Sequence, residues 1–211
     1  MNEYWDERFR KEGRIWGDLP SRTAEYARQL FEIEGVRSVL VPGSGYGRNT
    51  RLFSAAGFDV TGVEIAASAA EEARRFDPLS KVHQASVMDM SFLDGTFDAV
   101  YCYNVLHLFL ANDRRAFLRQ CADSVRDGGP MFFTVFSELD SSYGKGRRVE
   151  ENTFESRPGR PAHYFTEADL IDRFRDMQVV ETGLAEDPED HGQGPHVHLL
   201  RYIYVRITHP Q

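Results

Sequence analysis

Short apolar runs alternate along this chain with longer stretches whose apolar positions recur at helical spacing. Residues 3–12 and 20–34 are predicted helices, the second with Ser21 as cap and Ala24, Tyr26, Ala27, Leu30 and Phe31 on its apolar side. Val39, Leu40 and Val41 predict a first strand, and a helix over 50–57 ends at a glycine. Residues 58–64 read as the second strand, and 66–76 as a helix rich in Ala, Glu and Arg. A weaker strand at 81–85 is followed by one at 97–104 dense in β-formers. Asn112 is expected to cap a helix reaching Arg126, with Asp113 in its first turn. The turn Asp127-Gly128-Gly129-Pro130 then leads into a fifth strand at 131–136. Alternation of this kind predicts an α/β fold, a parallel sheet with helices on both faces.

The last third departs from the rhythm. Residues 137–163 are rich in Gly, Ser, Pro and Arg, with Lys145, Arg147, Arg148, Arg157 and Arg160 interleaved among Glu150, Glu151 and Glu155. They read as a solvated loop which, leaving the carboxyl end of a strand, covers the ligand side of the sheet. Thr166 caps a further helix, and 178–182 and 196–207 read as two strands joined by a loop over 186–195.

Composition narrows the class. The 211 residues suit about one domain, and 41% hydrophobic with 27% charged residues is ordinary for a soluble globular protein. A net charge of −8, without a basic cluster, opposes nucleic-acid binding. Two cysteines, Cys102 and Cys121, without C-x-x-C spacing oppose a disulfide framework or zinc ribbon. The N-terminus lacks the apolar core of a signal peptide and no membrane-length apolar run occurs, so a cytoplasmic protein is expected.

The chemistry gathers where the first strand stops, at Gly43-Ser44-Gly45-Tyr46-Gly47-Arg48. Strand, glycine turn and helix bring bare backbone N–H groups to one point and form a ligand cradle. The spacing is G-x-G-x-G, and Arg48 stands where a dinucleotide fingerprint demands glycine. No Gly-Lys-Ser or Gly-Lys-Thr follows, which excludes a Walker loop. Glu64, ending the second strand, lies at about the twenty-residue offset at which a carboxylate grips a ribose diol.

Val39–Gly47, Glu64, the run Phe97-Asp98-Ala99-Val100 and the turn Asp127-Gly128-Gly129 together resemble a class I S-adenosylmethionine-dependent methyltransferase, from about Val39 to Phe136. Trp5-Asp6-Glu7-Arg8-Phe9, Trp16-Gly17, Gly47-Arg48-Asn49, Gly62-Val63-Glu64-Ile65 and Ala85-Ser86-Val87 are similar to the thiopurine and tellurite-resistance methyltransferases. The resemblance implies a Rossmann-like seven-stranded, mostly parallel sheet with an antiparallel last strand. It implies one methyltransferase domain over 1–211, with 1–35 as a helical lid and 137–164 as an insert over the site.

Carried onto this sequence, it puts the methionine part of S-adenosylmethionine on Gly43, Ser44 and Gly45, the ribose on Glu64, and adenine between Ile65, Ser86 and Val87. Asn104 would face the methionine end or the methyl group, and Trp16 and Arg48 complete the cofactor set. Relatives commonly carry an acidic residue where Val41 stands and an aspartate where Ser86 stands, with Asp89 a rival adenine ligand. The expected acceptor is a small molecule, a thiol, chalcogen compound or other soft nucleophile. A silent nucleoside-binding module and a nicotinamide-dependent oxidoreductase are the rival readings, and the assembly is a monomer or homodimer.

Trp5 and Trp16 serve either to pack the N-terminal helix or to close over the cofactor. His107 is a candidate base or a structural residue, and His163, His196 and His198 are candidate acceptor contacts. His196 and His198 share a strand face and, with His191 nearby, invite a zinc reading, but further ligands are unspecified and no metal is assigned.

Overall fold

The computed structural model describes residues 2–189 and 194–208, so His191 lies outside the described residues. Seven strands form one sheet: β1 (Ser38–Pro42), β2 (Asp59–Glu64), β3 (Lys81–Gln84), β4 (Ala99–Tyr103), β5 (Pro130–Phe136), and two more near the end of the chain. These are β9 (Gln178–Glu189) and β10 (His196–Arg206), and the sheet order is β3-β2-β1-β4-β5-β10-β9. The first five strands pair in parallel, and β10 runs antiparallel to both β5 and β9.

Successive residues of each central strand feed opposite cores, as a sheet covered on both faces requires. Val39, Val41, Tyr101 and Phe132 pack with Phe31 of α2 (Arg22–Ile33) and Phe53 of α3 (Arg48–Ala55). Leu40, Val100, Cys102 and Phe133 pack instead with Phe117 of α5 (Ala111–Asp123) and Leu170 of α6 (Glu167–Arg173). The caps expected at Ser21 and Thr166 are in place, accepting from the N–H groups of Ala24 and Asp169. Both cysteines are buried free thiols. Among the described residues no helix is long and apolar enough to cross a membrane.

Three sequence expectations are corrected. The stretch expected to be a solvated loop contains a three-stranded antiparallel sheet, β6 (Arg147–Glu150), β7 (Thr153–Arg157) and β8 (Arg160–His163). Its charges pair across the strands, as Arg147 does with Glu155 at 2.6 Å. The second correction concerns α5, which has Leu110 rather than Asn112 at its N-cap and no side-chain cap of its own. The Ala111 N–H is taken by both oxygens of Glu150, at 3.1 Å each, from the insert. Third, β9 continues to Glu189, because β10 holds it in register far into the expected loop. Gly183 permits this, since a Cβ there would lie 2.8 Å from the Tyr202 ring.

Helix α1 (Asn2–Glu12) lies against α4 (Ala67–Phe76), whose N-cap, Ala66, offers no side-chain acceptor. Asp6 of α1 supplies one, accepting from Ser68 N–H at 2.8 Å.

His163, expected at the acceptor, is instead buried where the insert meets α6. Its Nε2–H donates to Asp169 at 2.7 Å and its Nδ1 lies 2.8 Å from the Thr153 hydroxyl. Burial lowers its pKa against the pull of Asp169, while Asp169, hydrogen-bonded to it and paired with Arg173, stays below the usual carboxylate range despite its own burial. A neutral ring whose folded pKa is depressed stabilises fully above the unfolded value, near pH 6.5, and loses that contribution as the pH falls through the folded one. His163→Ala is expected to cost about 1–3 kcal/mol in urea unfolding and to speed amide exchange across β6–β8. Wild-type stability should decline below about pH 6.5 more steeply than that of the variant.

Candidate functional site

The sheet order reverses between β1 and β4, and in open α/β sheets ligands bind at the carboxyl ends of the strands beside such a point. A cavity of about 630 Å³ opens there, inside the range typical of small-molecule sites. Its floor is the turn after β1. Gly43 and Gly45 have φ of +67° and +56°, and Gly47, the N-cap of α3, has φ of +93°. A Cβ on Gly43 would lie 2.3 Å from Val105, so that glycine is required by space as well as by backbone conformation.

The end of β2 fixes the turn. Val63 carbonyl accepts from the Gly43 and Ser44 N–H groups at 2.7 and 3.1 Å. The Glu64 carboxylate takes the Gly45 N–H on one oxygen and the Ala66 N–H on the other, both at 2.8 Å. Burial raises the Glu64 pKa while these backbone donors favour the charged form. Each carboxylate oxygen retains acceptor capacity. Ser44 lines the cavity, but its Oγ is buried against Gly62, without a hydrogen-bond partner among the described residues.

All ten residues assigned to the cofactor line this cavity: Trp16, Gly43, Ser44, Gly45, Arg48, Glu64, Ile65, Ser86, Val87 and Asn104. Asn104 holds φ of +56° just beyond β4, a conformation asparagine tolerates better than most residues, with its N–H donated to the Thr134 carbonyl at 3.1 Å. Arg48 donates to the Trp16 carbonyl at 3.2 Å and to the Tyr103 hydroxyl at 3.1 Å. The rival adenine ligand Asp89 lies outside the cavity lining and accepts instead from Ser91.

The walls over β5 and β10 are aromatic. His107 stacks on Phe136 at 4.2 Å, Phe136 stacks on Tyr164 at 5.6 Å, and His198 lies 5.0 Å from Phe136. His107 is buried, and burial followed by nearby His198, His163 and Arg160 lowers its pKa to about 3, which makes it a neutral ring at physiological pH. His198 lines the cavity and His196 stands beside it without lining it, their rings 4.9 Å apart. Glu189 also lines the cavity, and burial with the neighbouring Asp187 carboxylate holds its pKa above the usual range.

Two segments outside the central sheet reach over the opening. Trp5 and Phe9 of α1 pack with Trp16 and Tyr46, and the Tyr46 hydroxyl joins the Trp16 N–H to the Gly17 carbonyl. From β8, Arg160 lies 4.1 Å above the Tyr4 ring and donates to its hydroxyl at 2.5 Å. Sequence reasoning missed Tyr4, Tyr103, Phe136, Arg160, Tyr164 and Glu189 as lining residues. Only Tyr103 and Phe136 had a usable signal, since each ends a parallel strand at its carboxyl end.

Residues 40–133 match the family model of a methyltransferase domain. No curated protein matches the sequence. The structure solved for the conversion of a disulfide bond into a thioacetal group during echinomycin biosynthesis has a TM-score of 0.77 at 19% identity, covering 99% of this chain and 93% of that one. A S-adenosylmethionine-dependent methyltransferase of Methanosarcina mazei gives 0.70 at 18%, over 82% and 93%. The 1,6-didemethyltoxoflavin-N1-methyltransferase of Burkholderia thailandensis, solved with 1,6-didemethyltoxoflavin and S-adenosylhomocysteine bound, gives 0.66 at 22%, over 99% and 84%. At such identities the likeness is one of fold. The central segment thus matches a methyltransferase domain, and the whole chain has the fold of S-adenosylmethionine-dependent methyltransferases.

Proposed function

We propose that the chain is an S-adenosylmethionine-dependent methyltransferase and that it acts on a small, soft nucleophile, a thiol or related chalcogen compound, held over β5 and β10. The observation that carries the reading is one continuous cavity, joining the glycine turn and Glu64 at one side to the wall of His107, Phe136, Tyr164 and His198 at the other. The residues fit the cofactor: the glycine main chain suits a polar amino-acid end, and Glu64 suits vicinal hydroxyls. S-adenosylmethionine, when bound, supplies a methyl group on a sulfonium that is already a good leaving group. Ile65, Ser86 and Val87 would bracket its adenine, Asn104 would face its methionine end, and Trp16 with Arg48 would close over it.

The protein's remaining task is alignment and exclusion of water. The N-terminal helices and the insert act as the lid, clasped by Arg160 on Tyr4. Aromatic edges and faces suit a polarisable sulfur, and the neutral His107 adds no charge to repel or bind it. The neighbour associated with thioacetal formation is a protein of sulfur chemistry, which supports a soft acceptor here by analogy of fold.

Two measurements test this. Purified protein with S-adenosylmethionine and a panel of thiols, selenols, phenols and amines is expected to release S-adenosylhomocysteine fastest with the thiols and selenols. Tight cofactor binding without turnover on any acceptor would instead identify a silent binding module. Glu64→Ala is expected to weaken S-adenosylhomocysteine by about 1.5–3 kcal/mol, the worth of hydrogen bonds to a charged group. The same variant should melt earlier, because the Gly45 and Ala66 N–H groups lose their acceptor. Unchanged affinity by calorimetry would remove Glu64 from the ribose.

A further inference from the structure

The β9–β10 ladder places four polar side chains on one face at the edge of the cavity. His196 stands opposite Glu189 and His198 opposite Asp187. Residues directly opposite, and residues two apart on one strand, share a face. One donor atom each from Glu189, His196 and His198 lie within 4.8 Å of one another, and His198 Nε2 is 3.9 Å from a Glu189 oxygen. Ligands around tetrahedral zinc, with bonds of about 2.0–2.2 Å, stand roughly 3.3–3.6 Å apart, so small side-chain rotations close this set.

The second nitrogen of each imidazole is already engaged. His198 Nδ1 lies 3.0 Å from Asp140, whose side chain is wholly buried and also accepts from the Leu199 and Ser142 N–H groups, each at 2.8 Å. His196 Nδ1 lies 3.1 Å from the Gly194 carbonyl. A carboxylate and a carbonyl only accept, so Nδ1 carries a proton on both rings, which leaves Nε2 as the nitrogen that a cation would take in place of a proton. An acceptor behind each imidazole, one of them a buried carboxylate, is the support that orients metal-binding histidines.

We propose that Glu189, His196 and His198 bind a divalent cation of the zinc class at the acceptor side of the cavity. Two histidines and one carboxylate are a donor set suited to zinc, and three protein ligands leave a coordination position open. Glu189 and His198 line the cavity, so the open position serves the acceptor. A thiol that binds there forms a metal–sulfur bond and breaks its S–H bond; the proton passes to water and the sulfur stays as thiolate. The identity of that fourth ligand rests on the methyl-transfer reading above, whereas cation binding does not.

Chelator-stripped protein is titrated with Zn²⁺ by calorimetry and with Co²⁺ by visible absorption. One saturable equivalent is expected, with intense tetrahedral-type cobalt bands that shift when a small thiol is added. His196→Ala, His198→Ala and Glu189→Gln should each weaken cation binding about tenfold or more, and Asp140→Asn by roughly 10- to 100-fold. S-adenosylhomocysteine affinity should stay within about twofold in the half-exposed His196→Ala variant, which certifies its fold. Absence of saturable uptake, or uptake unchanged in the folded His196→Ala variant, overturns the site. Uptake without turnover on any acceptor leaves the cation site standing and refutes methyl transfer, while turnover without uptake does the reverse.

Discussion

The N–H groups left open at the starts of helices are the constraint on which this architecture depends. An α-helix begins with donors that have no partner within the helix, and buried donors must find one. Here α3, α4 and α5 all lack a side-chain cap of their own. At α4 the answer comes from Glu64, which takes the Ala66 N–H, and from Asp6 of α1, which takes that of Ser68. At α5 it comes from Glu150 of the insert, which also pairs with the buried Arg114. Carboxylates at these positions also match the positive end of the helix dipole. Both segments that reach over the cavity are thus tied down by the needs of helices belonging to the central fold.

Glu64 links that constraint to the ligand. Its carboxylate joins the glycine turn to the start of α4, and it is buried at the floor of the cavity. Burial disfavours its charge while the backbone donors favour it, and a bound diol adds further donors of the same sense. Across the sheet, the order β2, β1, β4, β5, β10 sets out the cavity in turn: the carboxylate, the glycine turn, Asn104, the aromatic wall and the histidines. The antiparallel β10 matters here, because its beginning lies beside the ends of the parallel strands, with Leu200 opposite Phe136. A small lateral step along the sheet therefore leads from the glycine turn to the histidines within one cavity.

The central fold and the glycine turn that floors the cavity were legible in the sequence because both rest on local patterns. A buried parallel strand is an apolar run, and a turn that needs positive φ shows its glycines. Ser21 and Thr166 were readable as caps because a cap and its helix are neighbours in the chain. Glu64 and the turn after β1 were readable for a related reason: one short βαβ unit sets their spacing.

What only the tertiary structure decided involves partners distant in the chain. Glu150 reads as one charge in a mixed loop until α5 is found to lack a cap, 39 residues away. His163 reads as a candidate acceptor contact until Asp169 and Thr153 enclose it. Glu189 was assigned to a loop, and nothing in its surroundings along the chain pairs it with His196. Strand register does, and a slip of one residue would turn these side chains to the other face. Periodicity and turn chemistry act over a few residues and are written in the sequence itself. Register, remote capping and the closing of the cavity depend on how elements pack, and that is settled only when the whole chain has folded.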